Sequence, residues 1–328
     1  MDAAWAGGYR RYFADVFLSE RRSRSLVFDR DGVVFGFLGV VHRPMTFDGR
    51  LVVMAVCSQF VVDPAGRGQV GLRLLKACFA GPQDLTISDE AGDNTRVIWE
   101  WCRGEAVPAC SLRWMRPLQP AALVLALLAR RTSPALRRTA LIAAARLADA
   151  VVSRTGTVRL RATRGSRHDL DEATLANGLP AIEGGRALLP EYDEPFAAWA
   201  IRRAGQRPGY GAVRKIAVRT GRDAISGWFL YCVSDDGIAE VLQVAARPDA
   251  VGTVLDHLFE DAEQQGAAGV CGRLEPRLLA ALSDRRVLFF RGDVWTLVHT
   301  RHTELRHAFH SGDAFLSRLE GEWCLRYP

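Results

Sequence analysis

The most constraining feature of this sequence is a β-like run that passes through a glycine-rich loop into a helical segment. Residues 51–62 are rich in aliphatic side chains, residues 63–71 read DPAGRGQVG, and residues 72–79 carry apolar side chains at helical spacing. Unpaired backbone N–H groups converge at such a helix start, and glycine lets a phosphate group approach them closely. The segment therefore predicts a binding site for a phosphate-bearing ligand.

Two common phosphate loops do not fit this segment. No Gly-Lys-Ser/Thr triplet follows, which excludes a Walker A loop. The preceding residues do not form the βαβ opening of a dinucleotide fold, because a helical stretch at 5–18 is followed by β-like runs joined by turns at Asp31-Gly32 and Asp48-Gly49. An antiparallel meander and a different nucleotide-bearing ligand are expected.

The order of elements predicts two related domains. A short β-like run at 85–88, a helix after Asp93 and a strand at 109–115 complete the first set, and a similar order of turn, strand, proline loop, helix and strand recurs about 180 residues later. The 328 residues also suit two cores. We expect an α+β fold with domains at 1–118 and 156–328, joined by an alanine-rich helical connector at 119–155.

The loop and its setting resemble the GCN5-related N-acetyltransferase superfamily. Residues 61–75, VVDPAGRGQVGLRLL, are similar to its pyrophosphate signature: Arg67 and Gly68 match the arginine-glycine pair, and Gly71 matches the helix start. Val70 stands where the superfamily usually has glycine or alanine. The superfamily's order of helix, meander, loop-helix, strand and helix covers residues 1–118. The resemblance implies two tandem mixed, mostly antiparallel sheets flanked by helices.

The resemblance implies an N-acyltransferase that moves an acyl group, acetyl by expectation, from acyl-CoA to an amine of a small molecule or peptide. Backbone groups would bind the pantetheine arm and the pyrophosphate, and an asparagine would open the next helix near the cofactor. The implied positions are Phe60, Val61 and Val62 for pantetheine, Arg67, Gly68, Gln69, Val70, Gly71 and Leu72 for pyrophosphate, and Asn94. The alternative is a plain glycine-rich turn.

Acyl transfer to an amine needs a base for the ammonium and an acid for the thiolate. Asp89 and Glu90 follow the β-like run 85–88 and are the candidate bases, with solvated turn residues as the alternative. The superfamily often supplies the acid from a tyrosine in the helix after its fifth strand. The corresponding helix here carries Trp99 and Trp101 and no tyrosine.

The second half is expected to be a degenerate copy that does not bind CoA. Its corresponding loop, 247–252, has one glycine, one proline and the charge of Asp249. Tandem members of the superfamily use one half for acyl-CoA while the other helps to frame the acceptor site. By that resemblance Trp228, Tyr231, Glu322 and Trp323 are candidate substrate-binding residues, with core packing as the alternative for the aromatic ones.

Two other functions remain open. The net charge is +6, and residues 130–167 hold ten arginines against the single acid Asp149. This stripe is either a solvated helical face or a surface for nucleic acid or membrane, so nucleic acid remains a less favoured partner. An aminoacyl-tRNA-dependent transferase of the Fem type would use it, although such enzymes need no CoA loop. A non-catalytic binding protein is the third possibility.

Metal, disulfide and membrane chemistry have little support in the sequence. His299, His302, His307 and His310 match no recognised zinc pattern, so no metal is expected. The seven cysteines form no CxxC pair and are interpreted as reduced thiols, with a catalytic cysteine as the alternative. Neither a signal peptide nor an apolar run of about 20 residues is present, so a cytoplasmic location without a membrane span is expected.

Overall fold

The computed structural model describes residues 3–17, 23–66, 69–131, 160–221 and 224–327. Within these ranges the strands, in chain order, are β1 (Leu26–Arg30), β2 (Val33–Phe47), β3 (Arg50–Val62), β4 (Leu85–Ala91), β5 (Glu105–Ala106), β6 (Leu112–Pro117), β7 (Ser166–Asp169), β8 (Leu188–Pro190), β9 (Arg214–Arg219), β10 (Ile225–Val233), β11 (Ile238–Ala246), β12 (Gly269–Arg273), β13 (Leu288–Arg291) and β14 (Trp295–Thr300).

The α-helices of the same ranges are α1 (Ala3–Phe17), α2 (Gln69–Phe79), α3 (Asp93–Trp101), α4 (Pro108–Ser111), α5 (Pro120–Arg131), α6 (Glu172–Glu183), α7 (Glu194–Gly205), α8 (Val251–Gln264), α9 (Leu279–Ser283) and α10 (Thr303–Ser311). Short 3-10 helices occupy Pro64–Gly66, Pro276–Leu278 and Glu322–Leu325. No helix of the described residues combines the length and the apolar character that a membrane span requires.

The chain divides into two compact units that are not contiguous in sequence. Unit 1 comprises 1–111, 184–193 and 292–328, and unit 2 comprises 112–183 and 194–291. These boundaries differ from the expected ranges 1–118, 119–155 and 156–328. Only the start of the expected connector is described, as α5, and its residues 132–155 lie outside the described part of the chain.

Unit 1 contains a sheet with the strand order β1-β2-β3-β4-β14-β5, in which β8 also pairs with β2. Its hairpin turns adopt the predicted form: Asp31 and Gly32 have φ of 54° and 77°, and Asp48 and Gly49 have φ of 46° and 77°. Positive φ at both central residues is the type I′ geometry that matches strand twist. The predicted meander is confirmed.

Helix α2 packs its apolar face on this sheet. Val70, Leu74 and Leu75 are buried against strand residues such as Leu38 and Ala55. Burying each leucine side chain contributes about 2 kcal/mol, so this face holds the helix start at a defined place on the sheet.

Unit 2 contains a second sheet, in the order β13-β6-β12-β11-β10-β9-β7. Strand β11 is parallel to β12, and the other neighbours are antiparallel. Its core includes Trp114, Phe229, Tyr231, Leu258 and Phe259. Two mostly antiparallel sheets flanked by helices confirm the predicted α+β class.

Two strands do not follow the predicted assignment. The expected strand at 109–115 is helix α4 followed by β6, and β6 pairs with β12 and β13 in the sheet of unit 2. The expected strands between 287 and 299 separate, since β13 belongs to unit 2 and β14 pairs with β4 and β5 in unit 1. Sequence periodicity identifies a strand but carries no information on its partner.

Candidate active site

The candidate site lies where two parallel strands of unit 1 stop pairing. Strands β3 and β4 are in register at Met54–Leu85, Ala55–Thr86 and Val56–Ile87. The two strands pair no further, although β3 continues to Val62 and β4 to Ala91. A cavity of about 430 Å³ is lined by residues of both strands beyond this point.

A β-bulge shapes one wall of the cavity. The register between β2 and β3 shifts between Phe37 and Gly39, and Gln59 takes a left-handed φ of 52°. A bulge places an extra residue on one strand and redirects its neighbours. The wall so formed includes Ser58, Gln59 and Phe60.

The cavity combines segments that are distant in sequence. Its lining comes from β2, β3, β4, helix α3 and the C-terminal segment, and consists of Leu38, Cys57, Ser58, Gln59, Phe60, Ser88, Glu90, Ala91, Gly92, Thr95, Trp99, Glu322, Arg326 and Tyr327.

The start of α2 adjoins this cavity through Phe60. A Cβ atom added to Gly71 would lie 3.3 Å from Cζ of Phe60, so the first turn of the helix approaches this ring closely. The first N–H groups of a helix lack intrahelical acceptors and favour an anion. Just before the helix, the backbone N–H of Ala65 donates to Oδ1 of Asp63 at 2.8 Å.

Only some of the predicted donor-binding residues line the cavity. Phe60 lines the cavity, Val61 is 58% exposed and Val62 packs against the core. Arg67 and Gly68 lie outside the described residues.

In α2, Gln69 is exposed, Leu72 is half-buried, and the side chain of Val70 is buried in the core. Only its backbone would therefore meet a phosphate. Asn94 lies exposed in the first turn of α3, and the residues of this helix that line the cavity are Thr95 and Trp99.

The carboxylate of Glu322 lies at the point where the strands diverge. Its Oε1 accepts a hydrogen bond from Oγ of Ser88 at 2.5 Å and from the backbone N–H groups of Asp89 at 3.1 Å and Glu90 at 3.2 Å. Burial, followed by the charge of Asp89, raises the pKa of Glu322 to about 8. A cavity-lining carboxyl group that titrates near neutral pH is suited to proton transfer.

Glu90 also lines the cavity, with a side chain that is 5% exposed. Nη1 of Arg318 lies 2.9 Å from its Oε1, and Nε of Arg326 pairs with its Oε2. Both oxygens of this carboxylate are therefore held by guanidinium groups in the cavity wall.

Asp89 is 2% exposed and accepts a hydrogen bond from the backbone N–H of Glu322 at 2.7 Å. It is not among the cavity-lining residues. Both Asp89 and Glu90 lie within β4, so the interpretation as solvated turn residues is wrong.

The substrate-binding candidates are not brought together. Glu322 lines the cavity, whereas Trp323 packs its ring under the guanidinium of Arg318 at 4.6 Å. Trp228 and Tyr231 are fully buried in unit 2. The indole N–H of Trp228 donates to Gln243 at 2.8 Å, and the hydroxyl of Tyr231 donates to Asp261 at 2.5 Å.

Sequence reasoning missed Arg318, Arg326 and Tyr327. The ring of Tyr327 packs against those of Tyr9 and Tyr12 in tilted and edge-on contacts, with centroid distances of 5.2 and 5.1 Å, and the hydroxyl of Tyr12 donates to the carbonyl of Leu325. These contacts hold the C-terminal segment beside the cavity. The only sequence signal is the presence of arginines four residues on either side of Glu322.

The histidines occupy separate environments. His299 stacks on Phe79 at 3.8 Å, His302 lies 3.6 Å from Asp84, and His310 lies 3.4 Å from Glu105. Burial lowers the pKa of His299. In the described part of the chain, no group of three or more histidine, cysteine or acidic side chains is arranged to hold a metal ion.

Comparison with solved structures shows the fold of GCN5-related N-acetyltransferases. A GCN5-related N-acetyltransferase from Kribbella flavida matches with a TM-score of 0.53 and 15% identity, over 92% of this chain and 64% of that one. One from Anabaena variabilis ATCC 29413 matches with a TM-score of 0.56 and 11% identity, over 90% and 66%. This chain thus spans about two thirds of their length. No protein-family model and no curated protein sequence matches it.

Proposed function

We propose that this protein is an acyl-CoA-dependent N-acyltransferase that transfers an acyl group, most simply acetyl, to an amine. The observation that carries the proposal is the divergence of β3 and β4 beyond Val56–Ile87, which opens a cavity directly beside the start of α2. An extended pantetheine arm needs backbone hydrogen-bonding groups that no neighbouring strand uses. A pyrophosphate needs a helix N-terminus. The two requirements meet at Phe60 and Gly71.

Glu322 is the proposed proton acceptor for the amine. A base must be within reach of the acceptor and must be partly deprotonated at the working pH. Glu322 lines the cavity and has a pKa of about 8, so it meets both conditions. It is proposed in place of Asp89, because Asp89 is not among the residues that line the cavity.

Glu90 is proposed to hold the cavity wall in place rather than to take the proton of the acceptor. Its ion pairs with Arg318 and Arg326 stabilise the carboxylate and hold its position in the cavity wall. Because two guanidinium groups already pair with this carboxylate, Glu90 offers no excess negative charge to an ammonium group. Glu322 therefore remains the candidate proton acceptor.

Unit 2 is proposed to bind no CoA. At the start of α8, a Cβ atom on Gly252 would lie 2.6 Å from Nη2 of Arg285. The guanidinium thus covers the first turn where a pyrophosphate would need open backbone N–H groups. This contact supports the expectation that the second half is a degenerate copy.

The test is a transfer assay on the full chain. Acetyl-CoA is incubated with a panel of small amines and amine-terminated peptides, and free thiol release and product mass are measured together. We expect saturable acetyl-CoA binding and an acyl product with at least one acceptor. Absence of acetyl-CoA binding in calorimetry would overturn the proposal and favour the aminoacyl-tRNA-dependent alternative, whereas binding without transfer to any amine would favour a non-catalytic protein.

A further inference from the structure

Unit 2 contains a second cavity that the proposed acyl transfer does not use. Its volume is about 200 Å³, and four arginines line it together with two aspartates: Arg116, Arg161, Arg285, Arg286, Asp256 and Asp284. Part of the remaining wall is the aromatic ring of Phe259. The cavity is therefore rich in guanidinium groups.

One arginine is already neutralised. Nε and Nη2 of Arg285 donate to the two carboxylate oxygens of Asp256, each at 2.7 Å, and Nη1 donates to the carbonyl of Ala281 at 2.8 Å. The side chains of this pair are 8% and 13% exposed. Such a bidentate ion pair is rigid and carries no net charge that could attract a ligand.

The other three arginines leave an excess of positive charge. Arg161 donates to the backbone carbonyl of Asp284 at 2.8 Å, so this contact does not use the carboxylate. Arg161, Arg286 and Asp284 are exposed. Even with Asp284 counted, three guanidinium groups face one carboxylate.

Arg116 is the buried member of this set. It is 7% exposed, and its Nε has no hydrogen-bond partner among the described residues. Nη1 reaches the carbonyl of Arg286 only at 3.4 Å. Burial and the charge of Arg286 lower the pKa of Arg116. A buried, unpaired N–H group costs free energy that an acceptor would recover.

We propose that this cavity binds a phosphate group, either as inorganic phosphate or as the terminal group of a small phosphate ester. Guanidinium forks match the paired oxygens of a phosphate, and a dianion offsets the excess charge of Arg116, Arg161 and Arg286. The ring of Phe259 offers an apolar surface to the remainder of an ester. The proposed site is separate from the cavity of unit 1 and does not depend on acyl transfer.

The experiment measures the melting temperature of the full chain against inorganic phosphate, at constant ionic strength maintained with sodium chloride. A ligand that binds only the folded chain raises the melting temperature in a saturable manner. The site variant is R161Q/R286Q, chosen because both side chains are exposed and their loss spares the core. The control variant is R202Q/R277Q, which removes the same charge from exposed positions of unit 2 outside the cavity.

We expect saturable stabilisation of the parent chain and the control, and a dissociation constant at least tenfold higher for the site variant. Repeating the titration with glycerol 3-phosphate distinguishes inorganic phosphate from a phosphate ester. Tighter binding of glycerol 3-phosphate than of inorganic phosphate would identify an ester as the ligand. A response no larger than that of chloride, or one that R161Q/R286Q leaves unchanged, would overturn the proposal.

Discussion

Asp89 and Glu322 form a reciprocal pair although 233 residues separate them: the N–H of Glu322 donates to Oδ1 of Asp89 at 2.7 Å, and the N–H of Asp89 donates to Oε1 of Glu322 at 3.1 Å. The carboxylate of Glu322 thus accepts N–H groups of β4 beyond the point where β3 stops pairing with that strand. The charge of Asp89 also contributes to the raised pKa of Glu322. The same two residues therefore hold β4 beside the cavity and set the pKa of Glu322.

The first prediction concerns the proton acceptor. Glu322→Gln keeps an oxygen for the N–H groups of Asp89 and Glu90 but removes the base, so kcat/KM should fall by about 100-fold. The activity of the parent chain should increase as pH rises through about 8, where Glu322 loses its proton. This increase should be absent from the pH–activity profile of the variant. Glu304→Gln, at an exposed position of α10, is the matched control. If the activity of Glu322→Gln still rises with pH in the same range, another group accepts the proton of the amine.

The second prediction concerns stability against pH. The pKa values of Glu320 and Glu322 are raised by burial from 4.5 to about 8 in the folded chain. Between these values the folded state holds protons that the unfolded state has released, so the free energy of unfolding should decrease as pH rises from about 5 to about 8. Urea denaturation of E320Q/E322Q should show a shallower decrease than the parent chain; equal slopes would contradict the assignment.

The third prediction concerns donor binding. Gly71→Ala places a Cβ atom 3.3 Å from Cζ of Phe60, a tight contact that should shift this cavity-lining ring by a few tenths of an ångström. We expect calorimetry to show about tenfold weaker acetyl-CoA binding, or about 1.4 kcal/mol. Gly205→Ala, whose Cβ would make an ordinary 3.6 Å contact with Val213, is the control. Unchanged affinity in folded Gly71→Ala would remove the start of α2 from the donor site.

The fourth prediction concerns the buried ion pair in the cavity wall. Both side chains of the Arg318–Glu90 pair are 5% exposed, so Arg318→Met should lower the free energy of unfolding by about 3 kcal/mol. Arg306 pairs with Glu105 at 3.1 Å, but these side chains are 46% and 36% exposed. Arg306→Met should therefore cost under about 1 kcal/mol. Equal losses in urea denaturation would show that Arg326 alone neutralises Glu90.

The fifth prediction concerns stoichiometry. Arg285 covers Gly252 at the start of α8, so calorimetry should give one acetyl-CoA per chain. Gly71→Ala should weaken this single event. Asp249→Ala in the loop before α8 should leave it unchanged. A second binding event in the parent chain would show that unit 2 is not degenerate.

The local fold of unit 1 was predictable from sequence because it depends on neighbours along the chain. The Asp-Gly pairs at 31–32 and 48–49 predict hairpins, since positive φ suits these residues. The spacing of Val70, Leu74 and Leu75 predicts the face that α2 buries. The glycine-rich loop marks the helix start, although its residues Arg67 and Gly68 lie outside the described ranges.

The assembly of the site was not predictable in this way. The periodicity of β6 and β14 identifies strands, but hydrogen bonds to distant residues decide that β6 joins the sheet of unit 2 and β14 that of unit 1. Tyr231 is an aromatic residue of the kind that often contacts a substrate. In the structure, however, its hydroxyl donates to Asp261 within the core of unit 2.

Local residue patterns predict the hairpins of unit 1 and the start of α2, because each depends on residues within a few positions of one another. Packing between segments that are distant in sequence brings Glu322, Arg318 and Arg326 to Ser88 and Glu90 at the end of β4. Burial and the surrounding charges then set the pKa of Glu322. These are properties of packing in space, which local residue patterns do not specify.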